Sequence, residues 1–326
     1  MSPDPRQRPT LSVVSPVHDE GDGVAAFAKQ VAAVLDEHGI DFEVLLVDDG
    51  SRDDSWQHIT DLAAQDPRVH GLRLSRNFGK EAAMIAGLES ATGQAVVVMD
   101  ADLQHPPDLL PQMVAQWRAG ADVVEAVKRT RTGQSVLHQV TARGFNRLFS
   151  RATGVDLQNA SDFRLLSRPA VDALCSLPER VLFFRGTSTW IGFRRTRLEF
   201  DVGDVGERTS RWSTRSLLRL ALDGLTSFTA APLHLVTVAA VVFAVFALLL
   251  GIQTLVRWAM GDTVPGFTTL LLVLLVQGTF VLMGLGIIGS YLARIHDEVK
   301  GRPRYLVAER VHADDAPSPG PHDGTS

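Results

Sequence analysis

The chain has 326 residues, of which 45% are hydrophobic and 21% charged, with a formal net charge of −5. That is long enough for one large or two modest domains, and the charge excludes the strong basic excess expected of a nucleic-acid binder. One cysteine, Cys175, leaves no partner for an internal disulfide, so nothing marks an oxidising compartment, and the residue is expected to be a small core side chain.

The first residues, MSPDPRQRPT, carry no apolar stretch of the secretory type, and residues 1–9 are expected to be flexible. From Leu11 onward, short apolar runs follow one another: LSVVSPV (11–17), FEVLLVD (42–48), VHGLRLS (69–75), AVVVMD (95–100) and ADVVEAV (121–127), separated by helix-period stretches such as Val24 to Glu37. Continuous Val and Leu runs with crossover helices predict an α/β fold with a mostly parallel sheet covered on both faces. In such sheets ligands sit beyond the carboxyl ends of the strands. Here those ends read HDE, DDGSRDD, SRNFGK and DADLQHPP, so acids and amides gather at one edge.

A helix is predicted over Ser135 to Ala152, followed by a mixed region, SDFRLLSR and RVLFFRGTSTWIGF, whose topology does not follow from pattern. From 213 to 229 the apolar residues Leu217, Leu218, Leu220, Ala221, Leu225 and Phe228 fall near helical spacing with Arg215 and Arg219 among them. That pattern predicts an amphipathic helix in a membrane interface. The mean hydropathy of +0.07 is explained by what comes next. Leu233 to Val256 and Phe267 to Ala293 contain no Asp, Glu, Lys or Arg, and each exceeds the roughly 20 residues that cross a bilayer.

Spans are therefore predicted at 232–257 and 266–293, joined by a short connector into a hairpin. Arg208, Arg211, Arg215 and Arg219 precede it and Arg294, Lys300, Arg302 and Arg304 follow, while the connector offers Arg257. This distribution predicts a two-span inner-membrane protein with both termini and the 10–212 body cytoplasmic. Residues 294–326 form a cytoplasmic tail, its polar, Pro/Gly-rich end expected to be disordered. Gly284 to Gly289 spells GLGIIG, which fits a dinucleotide-binding fingerprint literally but lies inside the second apolar run without the strand and helix it needs. Small residues there, Gly286 and Ser290, are expected to permit close helix packing within the hairpin or between subunits of a homo-oligomer.

The chemistry-bearing residues follow the apolar runs. Asp100 and Asp102 close AVVVMDAD, so two carboxylates at i and i+2 can project toward one cation, with Gln104 offering a further oxygen. Such hard ligands suit Mg²⁺ or Mn²⁺ bridging a nucleotide diphosphate. In VDDGSRDD (47–54) one Asp could accept from a base or ribose, Gly50 permits a tight turn, and Asp53 and Asp54 read as helix N-terminal caps.

At this point the chain resembles a known family. PVHDE (16–20), VDDGS (47–51), LSRNFGKEAAMIAGL (74–88), DADLQHPP (100–107), SDFRLLSR (161–168) and ALDGLTSF (221–228) look like the family-2, GT-A-fold glycosyltransferases that load sugars onto polyprenyl phosphates. That group includes bactoprenol glucosyltransferase and dolichol-phosphate mannose synthase. The resemblance covers roughly residues 10 to 300. It implies that Pro16, His18, Glu20 and Asp49 line a nucleoside pocket with Lys80 nearby, and that Asp100, Asp102 and Gln104 hold a metal and the diphosphate of a UDP- or GDP-sugar. It further implies that Arg129 and Arg131 hold the phosphate of a polyprenyl lipid and that Asp162 lies near the reaction centre; should the phosphate clamp lie elsewhere, Arg143 and Arg185 are the next candidates.

The chain departs from the family pattern in three places. His18 and Asp19 stand where Tyr and Asn are usual, Ser161 replaces a common Gly, and RTSRW (208–212) echoes a motif of processive polysaccharide synthases. The implied activity is inverting, metal-dependent transfer of a monosaccharide to polyprenyl phosphate, supplying a donor for cell-envelope glycan modification. A lipid phosphate is already anionic, so it needs positioning and charge screening more than a base. Two other readings stay open here: a family-2 transferase extending a glycan or lipid, and a non-catalytic nucleotide-binding membrane scaffold.

Overall fold

The computed structural model describes residues 9–102, 104–128, 160–179, 183–200, 231–261 and 266–312. The expected helix at 135–152, the juxtamembrane helix at 213–229, Arg129, Arg131, Arg143 and the RTSRW segment fall outside the described residues.

The apolar runs become the strands the pattern predicts: β1 (Leu11–Val17), β2 (Phe42–Asp48), β3 (Val69–Leu74), β4 (Ala95–Val98) and β5 (Val123–Lys128). Helices α1 (Gly23–Glu37), α2 (Ser55–Gln65), α3 (Lys80–Ser90) and α4 (Leu110–Arg118) connect them, a short 3₁₀ turn at Pro107–Leu109 leading into the last. The region that sequence pattern left unassigned supplies β6 (Ala160–Ser167), α5 (Arg168–Cys175), α6 (Phe184–Trp190) and β7 (Arg195–Phe200). All these strands join one eight-stranded sheet in the order β7-β5-β6-β4-β1-β2-β3-β8, where β8 is Val307–Val311. The central β4-β1-β2-β3 block is parallel, as right-handed βαβ crossovers require, whereas β6 runs antiparallel to both β4 and β5.

Alternate side chains of each strand serve opposite faces. Val13, Val44, Leu46, Val97, Phe163 and Leu165 pack with Phe27, Val31, Leu35 and Met113 of α1 and α4. Val14, Leu45, Val96, Val98 and Leu166 pack with Met84, Ile85 and Leu88 of α3 and with Val171 and Phe184. A Cβ at Gly87 would come within 2.2 Å of Val14 Cγ1, so α3 lies closer to β1 than any larger residue would allow. Cys175 is half-buried against this second cluster, and burial pushes its thiol up to about 11.

Strand β8 follows the apolar hairpin in sequence yet completes the sheet, antiparallel to β3. Glu309 ties it down, meeting Arg73 Nη1 at 3.1 Å and accepting from Trp56 Nε1 at 3.1 Å. The sequence reading carries no strand here, because VAERV is short and its charged residues face outward.

Helices α7 (Ala231–Ala259) and α8 (Phe267–Val299) belong to a second compact unit. Within them Val236–Arg257 and Val273–Ala293 have mean hydropathies of 2.5 and 1.9, long and apolar enough to cross a membrane. Their large side chains point outward, Leu255 at 69% and Leu282 at 70% exposure. The two helices touch through Phe243 and Phe280, ring centroids 5.2 Å apart. Gly284, whose added Cβ would lie 3.0 Å from Val236 Cγ1, marks the close approach. Gly286 does not: a Cβ there would meet nothing within 4 Å, so within the hairpin the close approach is at Gly284. Ser290 spends its hydroxyl on the carbonyl of Ile287.

Candidate functional site

At the carboxyl edge of the parallel block lies a cleft of about 310 Å³ lined by Pro16, Val17, His18, Glu20, Asp49, Asn77, Gly79, Lys80, Asp100, Ala101 and Asp102. It forms there because β1, β2 and β4 all end at this edge and the chain turns away after each. The β1 turn is held by main-chain and hydroxyl contacts. Asp19 adopts φ 54°, its N–H donating to Ser51 Oγ at 3.1 Å while its carboxylate accepts from Arg52 N at 2.8 Å. The amides of Glu20 and Gly21 both donate to Ser55 Oγ.

The paired acids after β2 divide their work. Asp48 is fully buried and builds the turn, accepting from both the N–H and hydroxyl of Ser51, with Arg73 Nε 3.4 Å away. Asp49 faces the cleft, and its two oxygens accept the N–H groups of Phe78 at 2.7 Å and Gly79 at 2.8 Å. Burial pushes the Asp49 carboxyl above its usual value in spite of those two donors. Gly50 makes the junction possible. It has φ +68°, and a Cβ would sit 2.5 Å from the carbonyl carbon of Arg76, so the β2 turn and the loop carrying Asn77 touch backbone to backbone. Asn77 Nδ2 in turn stands 3.0 Å from His18 Nε2.

The expected caps are only half present. Asp53 Oδ1 accepts from Ser55 N at 3.0 Å and Oδ2 from Gly21 N at 3.0 Å. Asp54, although it directly precedes α2, makes no side-chain capping bond, because Asp53 already takes the first-turn amide.

At the other end of the cleft Lys80, the first residue of α3, places its ammonium 2.7 Å from Asp100 Oδ1, 2.9 Å from Asp100 Oδ2 and 2.7 Å from Asp162 Oδ2. Asp162 also receives the guanidinium of Arg185 in a two-pronged pair, Nε to Oδ1 at 2.6 Å and Nη2 to Oδ2 at 2.9 Å. Burial opposes its ionisation, but Arg185 and Lys80 together hold the Asp162 carboxyl well below the usual carboxylate range. The same acids keep the Lys80 ammonium above its ordinary value against burial. Next to it Glu81 is pushed up to about 7, burial first and the Asp162 charge adding to it, while its Oε2 accepts the Phe184 N–H at 2.9 Å.

The structure thus brings Pro16, His18, Glu20, Asp49, Lys80, Asp100 and Asp102 to one cleft and sets Asp162 behind Lys80. Gln104 is exposed and outside the lining, its N–H donating to Asp102 Oδ1 at 3.1 Å. Asn77 and Gly79 line the cleft without having been singled out, although both lie in the RNFGK segment. Among the described residues no group of three or more His, Cys, Asp or Glu gathers in metal-binding geometry. Two carboxylates at the cleft nonetheless fit a hard cation that arrives with its own phosphate and water oxygens, and Asp100 already meets a positive charge in Lys80.

A mixed α/β sheet with acids at its switch edge and two long apolar helices defines a nucleotide-type binding fold attached to membrane-compatible helices. Residues 12–174 match the family model for glycosyl transferase family 2, and the chain belongs to that family. It is 37% identical over 304 residues to the Synechocystis sp. protein named uncharacterized glycosyltransferase sll0501, covering 92% of this chain and 95% of that one. It is 36% identical over 302 residues to the bactoprenol glucosyl transferase of Shigella phage SfII, covering 91% and 97%. Among solved structures, glucosyl-3-phosphoglycerate synthase from Mycobacterium tuberculosis in complex with UDP shares the GT-A fold. Its TM-score is 0.50 at 21% identity, covering 68% of this chain and 81% of that one.

Proposed function

We propose that the protein transfers a monosaccharide from a nucleotide-diphosphate sugar to a polyprenyl phosphate at the cytoplasmic face of a membrane. The observation that carries this reading is the likeness to a bactoprenol glucosyl transferase, which runs across 91% of the chain and so extends past the sugar-nucleotide cleft to the two apolar helices. Pro16, His18, Glu20, Asp49 and Asn77 hold the nucleoside, Asp49 doing so from a position set by two main-chain amides. Asp100 and Asp102, with Gln104 beside them, would hold Mg²⁺ or Mn²⁺. Such an ion would supply charge neutralisation to the diphosphate. Lys80 spans from Asp100 toward Asp162 and orients the cleft's acids.

Asp162 acts as an anchor for two cations rather than as a proton acceptor, because a carboxylate held this far below its usual range stays ionised and is a poor base. That suits an acceptor phosphate, which is anionic before it attacks the anomeric carbon. Arg129 and Arg131, which follow β5 in the sequence, bind that phosphate. The hairpin of α7 and α8 anchors the enzyme beside its lipid substrate, with both termini cytoplasmic.

The test is to incubate the full-length protein in undecaprenyl-phosphate vesicles with Mn²⁺ and a panel of radiolabelled nucleotide sugars. A lipid-linked monosaccharide released by mild acid is expected with one of them. Label appearing only in a longer glycan, or in no lipid at all, would overturn the acceptor assignment.

A further inference from the structure

Arg164 is the largest fully buried side chain of the described residues, 2% exposed. Burying a guanidinium costs several kcal/mol unless it is paired and hydrogen-bonded, and here Nε and Nη1 converge on one place. Nε donates to the Ser161 carbonyl at 3.2 Å. Nη1 donates to the Arg185 carbonyl at 3.0 Å, to Ser188 Oγ and to Thr189 Oγ1 at 3.4 Å, and lies 3.4 Å from the buried Glu125 carboxylate.

Arg164 and Asp162 are two apart on β6, so they project from the same face of the sheet, toward α6. Asp162 grips the guanidinium of Arg185 while Arg164 grips its main-chain carbonyl. Glu81 of α3 holds the amide one residue earlier, at Phe184. Arg185 is therefore fixed at both ends by alternate residues of one strand, and the start of α6 is pinned between β6 and α3.

We propose that Arg164 is a positioning residue. From inside the protein it sets the main chain of Arg185, so that the Arg185–Asp162–Lys80 chain of charges stays aligned with Asp100 at the cleft. The residues that Arg164 meets, Ser161, Arg185, Ser188, Thr189 and Glu125, are not among those lining the cleft, and its effect on transfer passes through Arg185. A hydrophobic residue would fill the same space at lower desolvation cost, but it would offer nothing to the Arg185 carbonyl.

The inference rests on the family-2 transfer reaction and not on the identity of the acceptor, so kinetics are measured on full-length protein with whichever acceptor supports turnover. Arg164→Met, which keeps the volume, is compared with Arg185→Met, with the double variant and with Arg168→Met. Arg168 is a structural control, donating to the carbonyls of Ala91 and Gly93. Arg164→Met is expected to lower kcat at least about tenfold while the donor KM changes less than about threefold. Arg164→Lys should recover only part, since an ammonium lacks the planar fork. The double variant should be no slower than Arg185→Met alone, because residues acting through one another do not add, whereas Arg168→Met should lower the melting temperature with kcat preserved.

Losses that multiply in the double variant, or an undiminished kcat in folded Arg164→Met, would overturn the proposal. Should Arg164→Met fail to fold, Ser188→Ala removes one acceptor instead. It is expected to cost about two- to fivefold in kcat, an effect that vanishes in the Arg185→Met background, and its persistence there would equally overturn the proposal.

Discussion

The two ends of the cleft satisfy their carboxylates by different means. At the end proposed to take the nucleoside, Asp49 is bonded by the amides of Phe78 and Gly79, donors that cannot move without moving α3. At the acid end Asp100 and Asp162 are bonded by the Lys80 ammonium and the Arg185 guanidinium, donors at the tips of chains with several rotatable bonds. The first arrangement holds a shape before any ligand arrives. The second holds a charge balance that can be repartitioned when a diphosphate and its cation enter, since an ammonium exchanges partners far more cheaply than a main chain does. On the proposed function, one end recognises the donor and the other responds to it.

Removing charge at the responsive end should have the largest effect. Asp102→Asn keeps the shape but removes half of the anionic charge proposed to hold the metal. Transfer is expected to fall by about three orders of magnitude or more, with the melting temperature within a few degrees of the parent. Turnover assays with and without EDTA, beside a thermal melt, check this, and a variant that turns over normally in EDTA would remove the metal from the mechanism. At the recognising end Asp49→Ala leaves two amides without their acceptor, each a loss of about 1–3 kcal/mol. Calorimetric titration should show donor affinity falling at least about tenfold together with a lower melting temperature. A loss of affinity without loss of stability would show that Asp49 binds the nucleoside without building the loop.

The contrast between the ends also decides what could be read from the sequence. Strands β1 to β5 were legible because apolar residues dominate each of them, β1 and β4 wholly so apart from Ser12, Ser15 and Pro16, and the acids that follow β2 and β4 mark the cleft. Strand β6 was not, because Asp162 and Arg164 interrupt its apolar pattern. Both are buried, and only partners distant in sequence, Lys80, Arg185 and Glu125, make that burial tolerable. Arg185 itself sits in an unpatterned stretch, RVLFFRGTSTWIGF, and became the partner of Asp162 only through three-dimensional contact. Strand β8 was hidden for a different reason: its partner β3 lies 236 residues upstream at the Arg73–Glu309 pair, across the whole hairpin.

Behind the acid end stands Glu81, bonded to the Phe184 amide, and pH should separate its contribution from that of Asp162. A carboxyl whose native value is raised, here to about 7, stabilises the fold while protonated. That stability is full at low pH and is lost as pH rises from the unfolded value near 4.3 through about 7. Asp162 behaves oppositely, since its native value is depressed. Its contribution is present above about pH 4 and is lost only in stronger acid, so it adds no slope between pH 5 and 8. The melting temperature of the parent should therefore decline across that window, on the order of 1–3 kcal/mol in stability, and Glu81→Gln should flatten the decline. An identical slope in Glu81→Gln would place the titration elsewhere.

The smallest effect expected is at the mouth of the recognising end, where the family resemblance leads one to look for Tyr and this chain has His18. The side chain is 41% exposed, with Nε2 3.0 Å from Asn77 Nδ2 and 3.6 Å from Asp19 Oδ2. The contact pairs the Asn77 amide with the imidazole edge, the ring tautomer setting which of them donates. A neutral, solvent-washed hydrogen bond of this kind contributes about 0.5–1.5 kcal/mol, which is roughly two- to tenfold in an equilibrium constant. His18→Ala should weaken donor binding by that factor with kcat unchanged, because the ring touches the loop of Asn77 and not the Lys80–Asp162 charges. Asn77→Ala should do the same, and the double variant should be no weaker than either, since both remove one bond. His18→Tyr, which restores the family's residue but cannot reproduce the imidazole contact at the same reach, should shift the ratio of UDP to GDP affinity rather than the overall strength. Equal affinities for the two nucleotides in parent and His18→Tyr alike would move the specificity contact away from the cleft mouth, toward Pro16 and the loop that Gly50 holds in place.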